Sequence, residues 1–248
     1  MKKLTVLIPV GNEINNIEEV INSVSFADEI LVADSYSIDG TYEIAKKLAT
    51  KVIRRDYQYS SSQKNWAIPQ AKYNWILIVD ADERVTVELK EEIQELLKNP
   101  PKEYNAYWIG RNNYFMGEKV NYSGWRNDGV IRLFKKDYCK YEDKYVHAKL
   151  IVNGKVSKLK NKLYHNTYTT LDKHIEKLNR YASLQAKDYQ NHTLRLTPYH
   201  FFIKPAWAFF KHYIIQMGFR DGLIGFTIAY LRGYSVFIRY VKLWLIRN

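Results

Sequence analysis

With 248 residues, 46% of them hydrophobic, the chain is long enough to bury a sizeable core, and its composition excludes an intrinsically disordered protein. Its single cysteine, Cys139, excludes an intramolecular disulfide framework and fits a reducing compartment. The apolar run Leu4–Ile8 stops at Pro9 and is too short for a signal peptide, so we expect a cytoplasmic protein.

The net charge of +12 is unevenly distributed along the chain. Residues 1–100 hold 12 Lys and Arg and 16 Asp and Glu, a net charge of −4, whereas residues 101–248 hold 26 and 10, a net charge of +16. A strongly basic half indicates an anionic partner: an acidic lipid surface, a phosphorylated acceptor or nucleic acid. The alternative is a generally basic proteome. Because the charges do not cluster around a nucleic-acid-binding motif, we expect no nucleic-acid partner.

The first hundred residues predict alternating strands and helices, which is typical of a parallel sheet in an α/β fold. We expect four strands, at Leu4–Ile8, Glu29–Ala33, Lys51–Arg55 and Trp75–Val79. We expect helices at Ile14–Val24, Thr41–Ala49, Ser61–Ala71 and Val87–Lys98, the last with Thr86 as its cap. Ligands of such sheets bind beyond the carboxyl ends of the strands, where the polar side chains of this half lie.

The second half predicts a different organisation. Short strand patterns between turn residues, from Tyr104 to about Val156, indicate an antiparallel extension of the sheet. A helix is expected from Leu171 to about Gln190, because apolar residues recur at helical spacing. The members of that expected buried face are Leu171, Ile175, Leu178, Ala182 and Gln185. We therefore divide the chain into a first half of the main domain (1–100), a second half (101–195) and a helical extension (196–248).

The last fifty residues are rich in aromatic and basic side chains. Two helical stretches, Tyr199–Ile215 and Gly222–Ile246, combine them, and their charges interrupt every run long enough to span a bilayer. Basic, aromatic-rich amphipathic helices fit a position in a membrane interface. The alternative is a helix pair that packs on the domain or forms a dimer.

The most informative motif is Asp80-Ala81-Asp82, which follows the apolar run Trp75–Val79. If both carboxylates extend a strand, they project to the same side and need a counter-charge, for which a hard divalent cation is suited. Mg²⁺ or Mn²⁺ is usually shared between such carboxylates and the phosphates of a substrate. The alternative is an acidic turn before a helix.

Four segments of the first half, taken in chain order, resemble the motifs of a known family: Pro9–Glu13, Asp34–Thr41, Gln63–Ala67 and Asp80–Arg84. In order and spacing they resemble the nucleotide-sugar half of family 2 glycosyltransferases of the GT-A fold, and most closely the lipopolysaccharide core glucosyltransferase subfamily. The downstream pattern of that subfamily is also present, at Gly124-Trp125, Arg132–Phe134, Val146-His147, Leu163–His165 and Asp221–Phe226. The resemblance covers essentially the whole chain.

The resemblance implies contacts with a UDP-sugar donor. Asp34 would meet uracil or ribose, and Lys64 would supply a cation near the base or the pyrophosphate, unless it is a solvated helix residue. Asp39 would contact base or ribose, or only cap the following helix. The full set of expected donor contacts is Pro9, Val10, Asn12, Glu13, Asp34, Asp39, Gln63, Lys64, Asp80 and Ala81.

The resemblance also implies a metal ion and a general base. Asp82 is the expected direct ligand of Mg²⁺ or Mn²⁺, and Asp80 would reach the ribose or the metal through water. His147 and His165 are either metal or pyrophosphate contacts or structural histidines. The base is either Asp128 or the residue at position 148, where the family usually has Glu and this chain has Ala148.

On the acceptor side we expect Trp125, Arg126 and Arg132. Both arginines could bind an acceptor phosphate, although a solvated strand face would explain them equally well. The implied reaction moves a hexose, glucose first among the candidates, with inversion from a UDP-sugar to a lipid-linked glycan at the cytoplasmic face of the inner membrane. The alternatives are a protein or teichoic-type acceptor, or a catalytically inactive relative that binds glycan or membrane, which Ala148 favours.

Overall fold

The computed structural model describes residues 2–144, 148–168, 170–193 and 195–248, without the side chains of residues 168, 173, 191 and 192. The chain forms two compact units. The first comprises Met1–Arg111 and Gly129–His165, and the second comprises Asn112–Asp128 and Asn166–Asn248. These units cut across the division that we expected at residues 100 and 195, and that division stays a prediction.

The first unit is built on a mixed sheet. Its strands are β1 (Leu4–Val10), β2 (Glu29–Asp34), β3 (Lys51–Arg54), β4 (Trp75–Ile78), β5 (Glu83–Arg84), β6 (Tyr104–Phe115), β8 (Gly129–Lys135) and β11 (Lys155–Tyr168), in the order β3-β2-β1-β4-β8-β6-β11-β5. The strands β6 and β11 continue along the chain into the second unit, where β7 (Glu118–Val120) pairs with the end of β6. The strands β9 (Cys139–Tyr141) and β10 (Leu150–Val152) form a separate antiparallel pair.

The sheet changes from parallel to antiparallel at β4. The strand β1 pairs in parallel with β2 and β4, and β2 with β3, whereas β8 runs antiparallel to both β4 and β6. All six residues of β2 and all four of β4 are buried, as central parallel strands require. The predicted α/β fold with a mixed extension of the sheet is therefore confirmed.

Four helices belong to the first unit: α1 (Ile17–Ser23), α2 (Thr41–Leu48), α3 (Ser60–Ala67) and α4 (Val87–Lys98). The helix α4 buries Leu89, Ile93 and Leu97, which recur every four residues, and Thr86 caps it by accepting a hydrogen bond from the Leu89 N–H at 3.2 Å. Pro69 interrupts the predicted helix at 61–71, and α3 ends before it in a short 3₁₀ turn, Ile68–Gln70. The remaining predicted strands and helices of this half begin and end within three residues of their predicted bounds.

The second unit is mainly helical. It contains α5 (Leu171–His192), a continuous helical stretch with α6 (Lys204–Phe210) at its centre and π-helical turns at Tyr199–Ile203 and Lys211–Ile215, and α7 (Gly222–Arg247). On α5, Leu178 and Ala182 are buried as predicted, but Leu171 is 43% exposed because it lies in the first turn of the helix. Among the described residues, no helix combines the length and the apolar character that crossing a membrane requires.

Candidate active site

The carboxyl ends of β1, β2 and β4 carry the polar side chains that the sequence singled out. The strand β4 ends at Ile78, so Asp80 and Asp82 lie in the turn that follows and do not extend the strand. The strand argument for carboxylates that project to the same side therefore does not apply to these two residues. The two side chains contact different partners.

Asp80, whose side chain is 32% exposed, belongs to a cluster of charges that includes the buried Lys64, Glu83 and Arg132. Its carboxylate lies 3.1 Å from the Lys64 Nζ and accepts a hydrogen bond from the Arg132 Nη2. The same Arg132 nitrogen donates to the Glu83 Oε1 at 2.8 Å, and Arg111 approaches that oxygen at 3.4 Å. Three cations and two carboxylates give the cluster a net charge of one positive unit.

Burial makes these pairings mutually dependent. Burial alone would raise the pKa of Asp80, but the charges of Arg132 and Lys64 outweigh it and hold that pKa well below its ordinary value. Burial alone would lower the pKa of Lys64, but the charge of Asp80 outweighs it and raises that pKa. Arg132 is 3% exposed and Glu83 is fully buried, so neither charge has water as an alternative partner.

Arg132 was expected to face an acceptor phosphate. Its guanidinium is instead buried between two carboxylates of the first unit, and its role in the described structure is to fix Asp80 and Glu83. The predicted acceptor contact stays a prediction without support from these contacts. The sequence alone did not show whether Arg132 contacts an acceptor phosphate or forms ion pairs inside the first unit. An arginine on a strand can point to either face of the sheet.

Asp82 is paired with His165. The Asp82 Oδ2 lies 3.6 Å from the His165 Nε2, because β5 and β11 pair antiparallel with His165 opposite Glu83. A carboxylate oxygen and an imidazole nitrogen suit Mn²⁺, and carboxylate oxygen suits Mg²⁺. No group of three or more His, Cys, Asp or Glu with metal-binding geometry occurs in the part of the chain that the structure describes, and His147 lies outside that part. Two protein ligands leave coordination positions for substrate phosphates.

The loops after β1 and β2 are bonded to each other. Asn12, with a left-handed φ of 57°, donates its backbone N–H to the Ser37 Oγ at 2.9 Å and accepts at its side chain from the Ile38 N–H at 2.9 Å. The Glu13 N–H donates to the Thr41 Oγ1 at 2.8 Å. These bonds hold two separate loops as one wall beside the end of the sheet, above Pro9 and Val10 of β1.

Asp34 and Asp39 stabilise this wall from within. Asp34 is fully buried, accepts from the Ser37 N–H and lies 3.0 Å from the Arg54 Nε. A direct contact with uracil or ribose would require these bonds to rearrange, so that predicted role stays a prediction. Asp39 accepts from the Thr41 and Ile14 N–H groups, while Gly40 occupies the cap position of α2, so both predicted roles of Asp39 stay predictions. Burial opposes ionisation of Asp39, but these bonds prevail and lower its pKa.

Gln63 on α3 is a buried amide that lacks partners. It is 2% exposed, and neither its oxygen nor its nitrogen has a hydrogen bond among the described residues. Its neighbour Asn65 exchanges two hydrogen bonds with the backbone of Tyr141 and so holds β9 against α3. Ala81 is buried, and its carbonyl accepts from Arg84 at 2.7 Å. An unsatisfied buried amide beside Lys64 is suited to binding a polar ligand.

In the second unit, the loop that holds Asp128 also holds two other predicted residues. The Asp128 Oδ2 accepts from the Asn113 amide at 3.0 Å, which orients the carboxylate. Trp125 packs edge-to-face on Phe115, with ring centroids 6.2 Å apart. The Arg126 guanidinium lies over the Tyr122 ring at 5.8 Å and is solvent-exposed.

Asp221 fixes the start of this loop, a role that the sequence did not reveal. Its carboxylate accepts from the Asn121 N–H at 3.1 Å, the Tyr122 N–H at 2.9 Å and the Ser123 Oγ at 2.9 Å. Ser123 is fully buried with a left-handed φ of 55°, and its N–H donates to the Gln216 carbonyl. The helical connection before α7 therefore holds the backbone from which Asp128 projects. The sequence did mark the motif that begins at Asp221, but only the fold shows that this carboxylate bonds to residues 121–123.

Ala148 is half-buried in the connection between β9 and β10. Its methyl group can neither accept a proton nor bind a cation. Residues 145–147, which precede it, lie outside the described residues. Position 148 therefore bears on the mechanism only because its side chain is not a carboxylate.

Arg132→Met should destabilise the protein by about 3 kcal/mol, because it removes the nearer cation of the buried Glu83 charge, leaves the more distant Arg111, and also removes a partner of Asp80. Urea unfolding at neutral pH measures the change. Lys98→Ala, which removes an exposed pair with Glu95, is the control and should cost no more than about 0.5 kcal/mol.

The Arg132 effect should also depend on pH. The lowered pKa of Asp80 stabilises the fold above the ordinary Asp range and loses that effect as the pH falls toward the folded-state pKa. The difference between the wild type and Arg132→Met should therefore shrink below about pH 4. A difference that does not change with pH would contradict the ion-pair role.

Asp221→Ala should destabilise the second unit by about 2 kcal/mol, since it leaves two backbone N–H groups and one hydroxyl without their charged acceptor. Thermal or urea unfolding measures this. Asp188→Ala, on the exposed surface of α5, is the control and should change stability by less than about 0.5 kcal/mol. Equal stability of the two variants would rule out the fixing role of Asp221.

The chain matches known glycosyltransferases in sequence. The model of the family described as glycosyl transferase family 2 matches residues 5–159. An uncharacterised glycosyltransferase of Rickettsia typhi is 30% identical over 254 residues, covering 98% of this chain and 87% of that protein. The lipopolysaccharide core biosynthesis glycosyltransferase LpsC of Rhizobium meliloti is 25% identical over 240 residues, covering 94% of this chain and 88% of that protein.

Solved structures show a weaker similarity. TarS 1-349 of S. aureus in complex with UDP-GlcNAc aligns with a TM-score of 0.48 and 16% identity, covering 99% of this chain and 91% of that chain. Glucosyl-3-phosphoglycerate synthase of Mycobacterium tuberculosis in complex with Mn²⁺ and UDP-glucose aligns with a TM-score of 0.37 and 19% identity over 46% of this chain and 44% of that chain. From the family match over residues 5–159, the chain belongs to glycosyl transferase family 2, the family that the motifs resembled.

Proposed function

We propose that this family 2 glycosyltransferase takes a hexose, glucose in the first instance, from a UDP-sugar and transfers it with inversion to a sugar of a lipid-linked, phosphate-bearing glycan. The Asp82–His165 pair at the carboxyl end of the sheet, 3.6 Å apart, is the observation that carries the proposal. The relationship to LpsC supports a lipopolysaccharide core acceptor.

The residues around this pair suit a metal-bound diphosphate. Asp82 and His165 would hold Mg²⁺ or Mn²⁺, which stabilises the charge that develops on the departing diphosphate. The neighbouring cluster of Lys64, Arg132 and Asp80 is fixed by its own ion pairs, so it presents a rigid rim to a ligand. The buried amide of Gln63, which precedes Lys64 in α3, has a donor and an acceptor that are not used within the described residues and that a polar ligand could use.

The acceptor side needs a group that takes a proton. In a single displacement, the acceptor hydroxyl oxygen bonds to the anomeric carbon, the bond from that carbon to the UDP oxygen breaks, and the hydroxyl proton passes to a base. A positioned carboxylate serves this purpose. We assign the base to Asp128, which Asn113 orients, because Ala148 has no group that accepts a proton. The exposed Arg126 of the same loop is suited to an acceptor phosphate.

Asp82→Asn and His165→Ala should each weaken Mn²⁺ binding about tenfold or more, because each removes a metal ligand that we propose from the described residues. Titration of Mn²⁺ followed by electron paramagnetic resonance measures the affinity without any reaction. Asp137→Asn, an exposed turn residue of the first unit, should leave the affinity unchanged.

Calorimetry of UDP-glucose with Mn²⁺ present tests the donor. Lack of binding by the wild-type protein would overturn the proposed donor, and Mn²⁺ affinities of both variants equal to that of the wild type would overturn the metal assignment.

Asp128→Asn should lower kcat by about 10²- to 10⁴-fold while the UDP-glucose dissociation constant stays the same, because the base acts only on the acceptor. Sugar transfer to a lipopolysaccharide core acceptor and calorimetry supply the two readings. The matched control is Asp188→Asn.

Ala148→Glu separates the two positions for the base. No gain from this variant supports Asp128. A gain in Ala148→Glu together with normal turnover in Asp128→Asn would assign the base to position 148. Donor binding without transfer by the wild-type protein would support the inactive relative that Ala148 favours.

A further inference from the structure

The C-terminal hairpin, which comprises the helical stretch 199–215, the connection 216–221 and α7, exposes an apolar surface. On α7 the exposed side chains Leu223, Phe226, Tyr230, Phe237 and Trp244 follow each other at intervals of three, four, seven and seven residues. At 3.6 residues per turn, this spacing places them in one stripe along the helix. The opposite face of α7 is buried, so this stripe is not part of the core of the unit.

The first helical stretch carries a matching stripe. Ile203, Trp207, Phe210 and Ile214 are each 44–57% exposed and are also spaced by three or four residues. Trp207 stacks on Phe210 with ring centroids 5.8 Å apart, so these large side chains pack on each other at the surface. An exposed apolar patch of this extent marks a site of interaction with another molecule or a membrane.

A groove lies between the two helices, and the α7 stripe borders it through Tyr230 and Phe237. It is lined by residues of both helices, with a volume of about 370 Å³: Pro205, Ala206, Phe209, Tyr230, Gly233, Tyr234 and Phe237. Phe226 packs edge-to-face on Phe209 and on Tyr213, at 5.7 Å in each case, which holds the helices side by side. We call the two exposed stripes of these adjacent helices, taken together, the hairpin surface.

The connection between the two helices extends the hairpin surface. Met217 and Phe219 of the connection, together with Ile215 at the end of the preceding helical stretch, are 44–55% exposed. Lys211 and Arg220, both exposed, flank these three residues in the sequence. Apolar side chains between basic ones are the combination that enters the interfacial region of an anionic bilayer.

The positive charge of the hairpin favours an anionic bilayer over a second copy of the chain as the partner of the hairpin surface. Residues 199–248, which form the hairpin, hold seven Lys and Arg and one acidic residue, a net charge of +6. Lys204, Arg239 and Lys242 donate hydrogen bonds to groups of their own unit, whereas Lys211, Arg220 and Arg232 are exposed. The single acid, Asp221, is bonded to the Asn121, Tyr122 and Ser123 groups of its own unit. A second copy would bring the same positive charge against this region, whereas anionic headgroups would neutralise it.

We propose that the hairpin surface docks the protein on an anionic lipid bilayer, with its aromatic side chains at the level of the headgroups. Tyr and Trp favour that level because their rings are apolar and their polar atoms can remain hydrated. The proposal goes beyond sugar transfer, because docking requires neither donor nor metal. It also brings a membrane-bound acceptor within reach of a protein that has no spanning helix among its described residues.

Co-sedimentation of the full chain with vesicles tests the docking. The protein should pellet with phosphatidylglycerol-containing vesicles, less with pure phosphatidylcholine, and less again as salt rises. The double variant Trp207→Glu with Leu223→Glu should lose about tenfold or more of this binding. Val87→Glu makes the same kind of change at a 67% exposed site of the first unit and should bind like the wild type.

A second measurement does not depend on introduced charges. Trp207 and Trp244 are half-exposed, so lipids brominated near the headgroup should quench their fluorescence when the protein binds. Trp207→Phe with Trp244→Phe should remove that quenching and keep the binding. Three results would each overturn the proposal. The wild type could fail to pellet with the vesicles, the double glutamate variant could bind as well as Val87→Glu, or quenching could persist in the phenylalanine variant.

Sedimentation velocity identifies the competing occupant. A wild-type dimer that the glutamate variant converts to a monomer, without vesicle binding, would assign the hairpin surface to a second copy of the chain and overturn the bilayer. A wild-type monomer that pellets with anionic vesicles supports docking.

Discussion

The donor side of this protein depends on one buried guanidinium. Arg132 on β8 reaches Asp80 after β4 and Glu83 of β5, and so ties together segments that are far apart in the chain. Since Glu83 is fully buried, its charge needs cationic partners within the protein, and Arg132 at 2.8 Å is nearer to it than Arg111 at 3.4 Å. The turn that holds Asp82 runs between Asp80 and Glu83, so the same interaction positions the carboxylate that we propose as a metal ligand.

The two carboxylates of the Asp80-Ala81-Asp82 motif have separate tasks. Asp80 is neutralised by Arg132 and Lys64 and acts within the framework of the site, whereas Asp82 lies beside His165. A cation that bound both would compete with two protein cations at Asp80. This division explains how a site with several acidic side chains can accept a doubly charged phosphate ligand: most of its negative charge is already paired within the protein.

The second unit joins the proposed base to the proposed membrane surface. Asp221 ends the connection that exposes Met217 and Phe219, and it bonds the backbone of the loop that leads to Asp128. In a protein docked through the hairpin, the loop that leads to Asp128 would be joined to the docked element by the three hydrogen bonds that Asp221 accepts. Docking and acceptor chemistry would therefore share one rigid element of the second unit.

The sequence by itself determined the α/β fold, the order of its elements and the family, because hydrophobic periodicity and ordered motifs are local properties of the chain. It also identified both exposed aromatic helices. Only the tertiary structure decided that Arg132 is buried beside Asp80, that His165 lies beside Asp82, and that Asp221 holds the Asp128 loop. Each of these contacts joins residues about 50 to 100 positions apart, and such pairings follow from strand order and helix packing, which no local pattern encodes.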